Sequence, residues 1–413
     1  MKYLILGAGP AGLTLANMLM ERGECDFLVI EKEDSAGGLC RSRDVDGSPF
    51  DTGGGHFLDV RDPDVTKFVF GFLPEDEWDR YERDSRIDLY GDIIGSPIEA
   101  NIWQLPEEKQ QRYLKYIEEA GCNKGEQKPE KFTEWIEWKL GRAISEDYML
   151  PYNRKMFGED LDSLGTYWLE KLPNVSYEET KRSCAERRPY GTQPGHAKFF
   201  YPHLYGYGEA FLRMADALGD RIHYNEPVVS IDYDNRIVNG KYSADNIIVT
   251  IPWTSVRDHI GLPDTLHDSI GKLRYSSVVT EYVPENMDTK AHWIYYPDPK
   301  LSYHRILVRH NFCPGSKGYW TETNLTRYDE DKAVGEGKTF FVNEYAYPLN
   351  TIGKQELMKE LLEYTASKNV YGLGRWGEWQ HYNSDVVIKR AMDLVNRTLA
   401  HLDSTSSNRG LAV

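Results

Sequence analysis

Residues 3–31 read YLILGAGPAGLTLANMLMERGECDFLVIE, and this stretch decides the fold. An apolar strand over residues 2–6 runs into Gly7-Ala8-Gly9-Pro10-Ala11-Gly12. A helix follows from about Pro10 to Arg22, and a second strand over 26–30 ends at Glu31. Strand, glycine turn, helix and strand make a βαβ unit. Gly7 permits the tight turn, Gly9 lets the backbone approach a pyrophosphate, and Gly12 lets helix and strand pack closely. The pyrophosphate then lies on the helix N-terminus, where unpaired N–H groups and the helix dipole attract an anion. Glu31 comes 19 residues after Gly12, where an acid accepts hydrogen bonds from a ribose. In this setting a plain tight turn is the poorer explanation.

The motif alone does not separate NAD from FAD. The next segments do. EKEDSAGGLCRS (31–42) and FDTGGGHF (50–57) add a second and a third glycine cluster within the first 60 residues. They imply a long cofactor whose far end also needs bare backbone beside it, which fits FAD better; taken singly, each cluster reads equally as loop punctuation.

Beyond residue 60 the pattern changes. Residues 105–170 place apolar residues at helical spacing. The Pro-punctuated segment 172–203 reads as an irregular, mobile connection. A helix near 208–218 precedes strand-like runs, and residues 275–347 alternate aromatic, β-branched and polar residues as an antiparallel sheet does. Helices over 353–366 and 384–402 close the chain ahead of a loose tail. The expected fold class is therefore α/β. A discontinuous Rossmann-like FAD-binding domain (1–90, 193–255 and 368–403) carries a helical domain with a mobile loop (100–192), an antiparallel substrate sheet (256–350) and a tail (404–413).

Composition limits the function. The 413 residues suit two or three domains, and 40% apolar with 28% charged residues excludes wholesale disorder. A net charge of −16 argues against nucleic acid as a partner, since phosphate neutralisation needs cationic surface. No apolar run reaches the ~20 residues of a membrane-spanning helix. Five scattered cysteines without a CxxC pair suit a reduced cytoplasmic protein with no structural metal. Homo-oligomerisation is left open.

The remaining motifs are SPIEANIWQLPEE (96–108), PYNRKMF (151–157), YWLEKLP (167–173), HWIYYP (292–297), YHRILV (303–308), EYAYP (344–348) and GLGRWGEWQHYNSD (372–385). With the N-terminal glycine segments, their order and spacing resemble the flavin-dependent UDP-galactopyranose mutases, within the wider amine-oxidase-type flavoproteins. The resemblance implies FAD, active when reduced, with NAD(P)H as a candidate reductant. It implies a nucleotide sugar as substrate and interconversion of its pyranose and furanose rings with no net redox, through a covalent bond between flavin N5 and sugar C1. Furanose donors of this kind feed surface-polysaccharide synthesis in relatives.

The resemblance also implies roles. Arg305 clamps the leaving diphosphate, where a bidentate cation is wanted. Tyr295 and Tyr347 donate hydroxyls to the phosphates, Trp293 lines the sugar pocket, His56 lies against the flavin ring, and Lys171 stands about where a second clamping arginine is expected. Gly7, Gly9, Gly12, Glu31, Gly38, Leu39, Gly54, Gly55, Val229, Gly374, Arg375 and Asn383 hold FAD. Asn153, Phe157, Glu99, His381, Tyr382 and His196 complete the substrate pocket. Read without the family, Arg305 is as well a sheet-surface arginine paired with a carboxylate, and strand tyrosines are often core.

The sequence departs from the family at the nucleotide end. Ser96, Ile98 and Glu99 replace an aromatic-and-amide set, Phe312 and His381 stand where tyrosines are common, and Lys171 loses the guanidinium fork, which Arg182, Arg187 or Arg188 would have to replace. The base need not be uracil. Two other readings stay open: an oxidase or desaturase of the amine-oxidase or protoporphyrinogen-oxidase kind, and a non-catalytic flavoprotein.

Overall fold

The structure is a computed structural model describing residues 1–59, 61–169, 174–191 and 197–396. Strands Tyr3–Leu6, Phe27–Ile30 and Asn246–Val249 are almost wholly buried, as apolar runs covered on both faces must be. They lie in a five-stranded parallel sheet ordered Ile222–His223, Phe27–Ile30, Tyr3–Leu6, Asn246–Val249, Val370–Gly372. Tyr3 stands opposite both Phe27 and Asn246. Helix Pro10–Glu21 starts with proline, whose missing N–H costs nothing in the first turn. It buries every residue from Ala11 to Leu19, packing on Glu209–Asp216 and Ser384–Leu394. Gly12 makes this possible: a Cβ there would sit 2.0 Å from the Gly7 carbonyl oxygen.

The second large sheet has seven strands, ordered Phe340–Pro348, Tyr275–Val283, Tyr319–Asn324, Arg305–Leu307, Trp293–Tyr295, Ser85–Leu89, Asp92–Gly95. All pairs are antiparallel except Trp293–Tyr295 with Ser85–Leu89, where Trp293 stands opposite Ser85. The domain boundary read at residue 90 falls inside the 85–95 hairpin. This hairpin joins the sheet because Ile87, Leu89 and Ile94 pack into the apolar cluster under the helical segment. That segment comprises Glu107–Glu118, Phe132–Ile144, a π-helical turn over Ser145–Met149, and Leu150–Phe157. One apolar core runs through both sheets: Leu13 and Ile248 share it with Phe50, Trp293, Leu307 and Trp320. The α/β class expected from the sequence is therefore what forms. Among the described residues no helix is long and apolar enough to cross a membrane.

Segment 172–203 differs from its reading as an irregular connection. Residues 170–173 and 192–196 lie outside the described residues, but Tyr177–Glu186, between them, is an α-helix and Lys198–Pro202, after them, a strand. The helix is started by a capping box. Ser176 Oγ accepts from the Glu179 N–H at 3.2 Å, and Glu179 Oε2 accepts from the Ser176 N–H at 2.8 Å. Its buried face is polar, Thr180 and Ser183, so apolar periodicity gives no warning of it, whereas the S-x-x-E signature does. Ser176→Ala is expected to cost about 1 kcal/mol of local stability, read as roughly fivefold faster amide exchange over 177–186 with the rest of the chain unchanged.

Candidate active site

Two cavities of about 550 and 560 Å³ flank the junction of the sheets. The first opens at the N-terminus of helix Pro10–Glu21. Gly7, Gly9, Glu31, Gly38, Leu39, Val229 and Arg375, all expected to hold cofactor, line it together with His56. Gly7 adopts φ +104°, open to glycine alone, which turns the chain sharply out of the first strand. Glu31 is buried. Its Oε2 accepts from the Ala8 N–H at 2.7 Å and its Oε1 from the Glu33 N–H at 3.0 Å, so the acid fastens the glycine turn to the second strand. Bare backbone, a helix N-terminus and an elongated cavity together fit FAD.

Arg375 closes the far end. Its Nε and Nη2 donate to the Tyr382 carbonyl at 3.0 and 2.7 Å, and its Nη1 to the Ala346 carbonyl at 3.0 Å. Burial lowers its pKa. His56 Nδ1 donates to the Gly54 carbonyl at 3.0 Å, which fixes the tautomer and leaves Nε2 an acceptor. Burial, then the Arg375 charge, holds the imidazole pKa down at about 4, so His56 is neutral at physiological pH.

Arg41, absent from the expected set, also lines this cavity. Its Nε donates to the Gly38 carbonyl at 3.1 Å, and its buried Nη1 makes no hydrogen bond; Glu33 stands 3.5 Å from it. A guanidinium so held beside bare glycine backbone suits a phosphate. Arg41→Ala is expected to weaken FAD binding about tenfold, measured by flavin fluorescence titration of the apoprotein.

The second cavity is lined by Arg305, Tyr347, Tyr295, Asn153, Phe157, Glu99 and His381, all expected around the substrate. Arg305 stands opposite Glu322 on adjacent strands, and its Nε and Nη2 both donate to Glu322 Oε2, at 2.8 and 2.5 Å. Glu322 Oε1 accepts from the Gly55 N–H at 3.1 Å. Burial, the largest single effect, would raise the Glu322 carboxyl, but Arg305, His304 and the Gly55 N–H together outweigh it and hold the pKa at about 2. Burial likewise works most strongly against the Arg305 charge, and Glu322 with Tyr347, Tyr152 and Tyr295 together more than restores it, leaving the pKa above the ordinary arginine value. His304 Nε2 lies 3.6 Å from Glu322 Oε2, and burial keeps that imidazole neutral by lowering its pKa. Tyr347 lies between Arg375, 5.9 Å from its ring, and the His381 ring at 4.9 Å, which is where the two cavities meet. Burial raises its phenol pKa, so it remains a donor.

Several residues stand elsewhere than expected. Trp293 lines neither cavity. It is buried in the core, stacked on Phe57 at 5.3 Å, and reaches the second cavity only by donating Nε1–H to Tyr295 Oη at 2.9 Å; its indole is too large and apolar to leave that core. Asn383 lines the second cavity and Tyr382 the first, the reverse of expectation, because the Tyr382 carbonyl is drawn to Arg375. Gly12, Gly54, Gly55 and Gly374 do not line the first cavity. They serve close packing, Gly54 and Gly55 against Glu322 and Leu307 and Gly374 against Ala11. Phe312 is fully buried among Phe57, Tyr201 and Trp320. Arg182 and Arg188 bind Glu186 on the surface and, with Arg187, line neither cavity. Lys171 and His196 lie outside the described residues. Sequence reasoning missed Glu322, Tyr148, Tyr152 and Arg83. Arg83 donates to Tyr295 Oη at 3.2 Å and stacks over Trp293 at 4.9 Å, yet it sits in a run of charges, DRYERDSR, that reads as surface.

A family model described as flavin containing amine oxidoreductase matches residues 10–283. The chain belongs to the flavin-containing amine oxidoreductases. A UDP-galactopyranose mutase of Mycoplasma pneumoniae is 23% identical over 412 residues, covering 94% of each chain. Among solved structures, a reduced UDP-galactopyranose mutase superposes with TM-score 0.87 at 24% identity, covering 97% of this chain and 94% of that one. The cyclohexylamine oxidase of Brevibacterium oxydans gives 0.61 at 15% identity, covering 96% and 99%. The fold is thus shared with mutases and oxidases, and the family carries flavin.

Proposed function

We propose that this chain is a flavin-dependent mutase that interconverts the pyranose and furanose forms of a nucleotide sugar without net redox. One observation carries the reading: a buried, charge-locked arginine with tyrosine hydroxyls, in a cavity that adjoins the flavin cavity at Tyr347 and Arg375. A diphosphate held by Arg305, Tyr295 and Tyr347 would place its glycosyl carbon at the flavin end. Reduced flavin, when bound, supplies the electron-rich nucleophile that keeps the sugar in place while its ring opens and recloses.

The chain's own residues do the rest. Arg305 stays cationic and, with both bonds to Glu322 on one carboxylate oxygen, keeps Nη1 for the diphosphate, which must be retained until it re-forms the ester. Tyr295 is polarised by Arg83 and Trp293. Neutral His56 offers Nε2 as an acceptor at the junction. NAD(P)H is the proposed reductant, and all five cysteines are free thiols, as a reducing cytoplasm requires.

The test is incubation of the reduced protein with a panel of nucleotide sugars, followed by chromatography for furanose product. Product from one donor supports the reading, and none from any donor with the flavin intact and reduced overturns it. Turnover of an amine that consumes O2 stoichiometrically would favour the oxidase reading, which family membership also allows.

A further inference from the structure

Resting on the nucleotide-sugar reading, we infer that the second cavity selects a nucleobase bearing an exocyclic amino group over uracil, and that Glu99 reads it. The cavity has a direction. From the flavin end it passes Tyr347 and Arg305, then Tyr295 and Tyr152, whose rings are 5.4 Å apart. Tyr148 comes next, its ring 5.7 Å from that of Tyr152, and Glu99 is among the charges that act on Tyr148. With the glycosyl group at the flavin end and the diphosphate at Arg305, the base falls at Glu99.

That end is built for a flat ring with donors on its edge. Ile98, Leu140 and the Tyr148 ring, which share one apolar cluster, supply apolar and aromatic walls. Glu99 is 7% exposed, and no other side chain among the described residues donates to its carboxyl. The basic group closest in influence, Lys139, donates to Asn174 Oδ1 at 2.6 Å. Neighbouring Asn101 and Gln104 are also occupied, donating to the Pro97 carbonyl and to Asn101 Oδ1, both at 2.9 Å. Burial raises the Glu99 pKa. Apart from a hydrogen bond to its own backbone N–H, this buried carboxyl has no donor facing it among the described residues, which is costly, and a ligand that brings N–H groups relieves the cost.

The bases differ at this edge. Uracil offers one N–H between two carbonyl oxygens, and those oxygens meet the carboxyl oxygens. Cytosine and adenine offer an amino group, and guanine offers an amino group beside a ring N–H, matching both carboxyl oxygens. Acidic side chains accept from amino groups of this kind in base recognition generally.

The experiment is calorimetric titration of the reduced holoprotein with UDP, CDP, ADP and GDP. One amino-bearing diphosphate is expected to bind at least about tenfold tighter than UDP. In Glu99→Gln, whose carboxamide has the same shape but also donates, the gap should close to about twofold, with bound flavin and pyrophosphate affinity unchanged. UDP binding as tightly as the others in the wild type would overturn the inference, as would a preference that survives Glu99→Gln; both leave the nucleotide reading standing. No binding of any of the four would overturn both.

Discussion

Arg305→Ala is expected to purify with its flavin and to lose at least about 100-fold in turnover, since a preorganised donor set is worth that much at a charged leaving group. The flavin stays because Arg305 touches only the second cavity. Arg305→Lys should recover part of the loss, keeping the charge without the fork. Arg305→Ala also strands Glu322, which is buried and left with the Gly55 N–H and a neutral His304. Breaking a buried pair in this way costs about 3–5 kcal/mol, which a thermal melt will show. The pH dependence has a definite sign. Because Glu322 has its pKa depressed from 4.5 to about 2 in the fold, its contribution is fully present above pH 4.5. It is lost as pH falls from 4.5 towards 2, so wild type and variant should converge in stability over that window. Wild-type turnover in the variant would remove Arg305 from the reaction, and a stability gap unchanged at low pH would remove Glu322 from the pair.

Gly12→Ala is expected to yield protein with little or no bound flavin and a markedly lower melting temperature. The new methyl would stand 2.0 Å from the Gly7 carbonyl oxygen and 3.1 Å from Ile5 Cγ2. Normal contact then requires the helix to retreat by roughly 1 Å or more. The neighbour is backbone in the turn that directly follows the central strand, tied to Ile30 by the Gly7 N–H, so the helix is what moves. Overpacking of this kind costs about 1–3 kcal/mol in a well-packed core, and the helix N-terminus leaves the position where it meets the pyrophosphate. The ratio of flavin to protein absorbance reads the first effect and a melt the second. A variant with full flavin content would show that the close approach of helix and strand is not what builds the cofactor site.

The parallel sheet was legible because its strands are buried on both faces and so are written as unbroken apolar runs, with the turn fixed by glycine spacing. The second cavity was legible only through motifs, and only in part. Arg305 and Tyr347 stand where expected, but Trp293 does not, because an aromatic residue in a strand looks the same whether it faces cavity or core. Glu322, in the strand WTETN, was illegible for the opposite reason. Alternating polar residues in an antiparallel strand point to solvent by default, and nothing local says that an arginine two strands' length away in sequence will lie opposite it. Helix Tyr177–Glu186 was missed because its inward face carries hydroxyls in place of apolar side chains.

The strand order has a consequence for biosynthesis. The central strand, Tyr3–Leu6, is flanked by Phe27–Ile30 and by Asn246–Val249, and the sheet ends with Val370–Gly372. Ser85–Leu89 likewise waits for Trp293–Tyr295. A nascent polypeptide therefore emerges from the ribosome carrying two unfinished strand edges, and neither closes until most of the message has been translated. Long-range pairing of this kind is slow and leaves apolar surface open to aggregation. Chains truncated before residue 370 should consequently need chaperones to stay in solution.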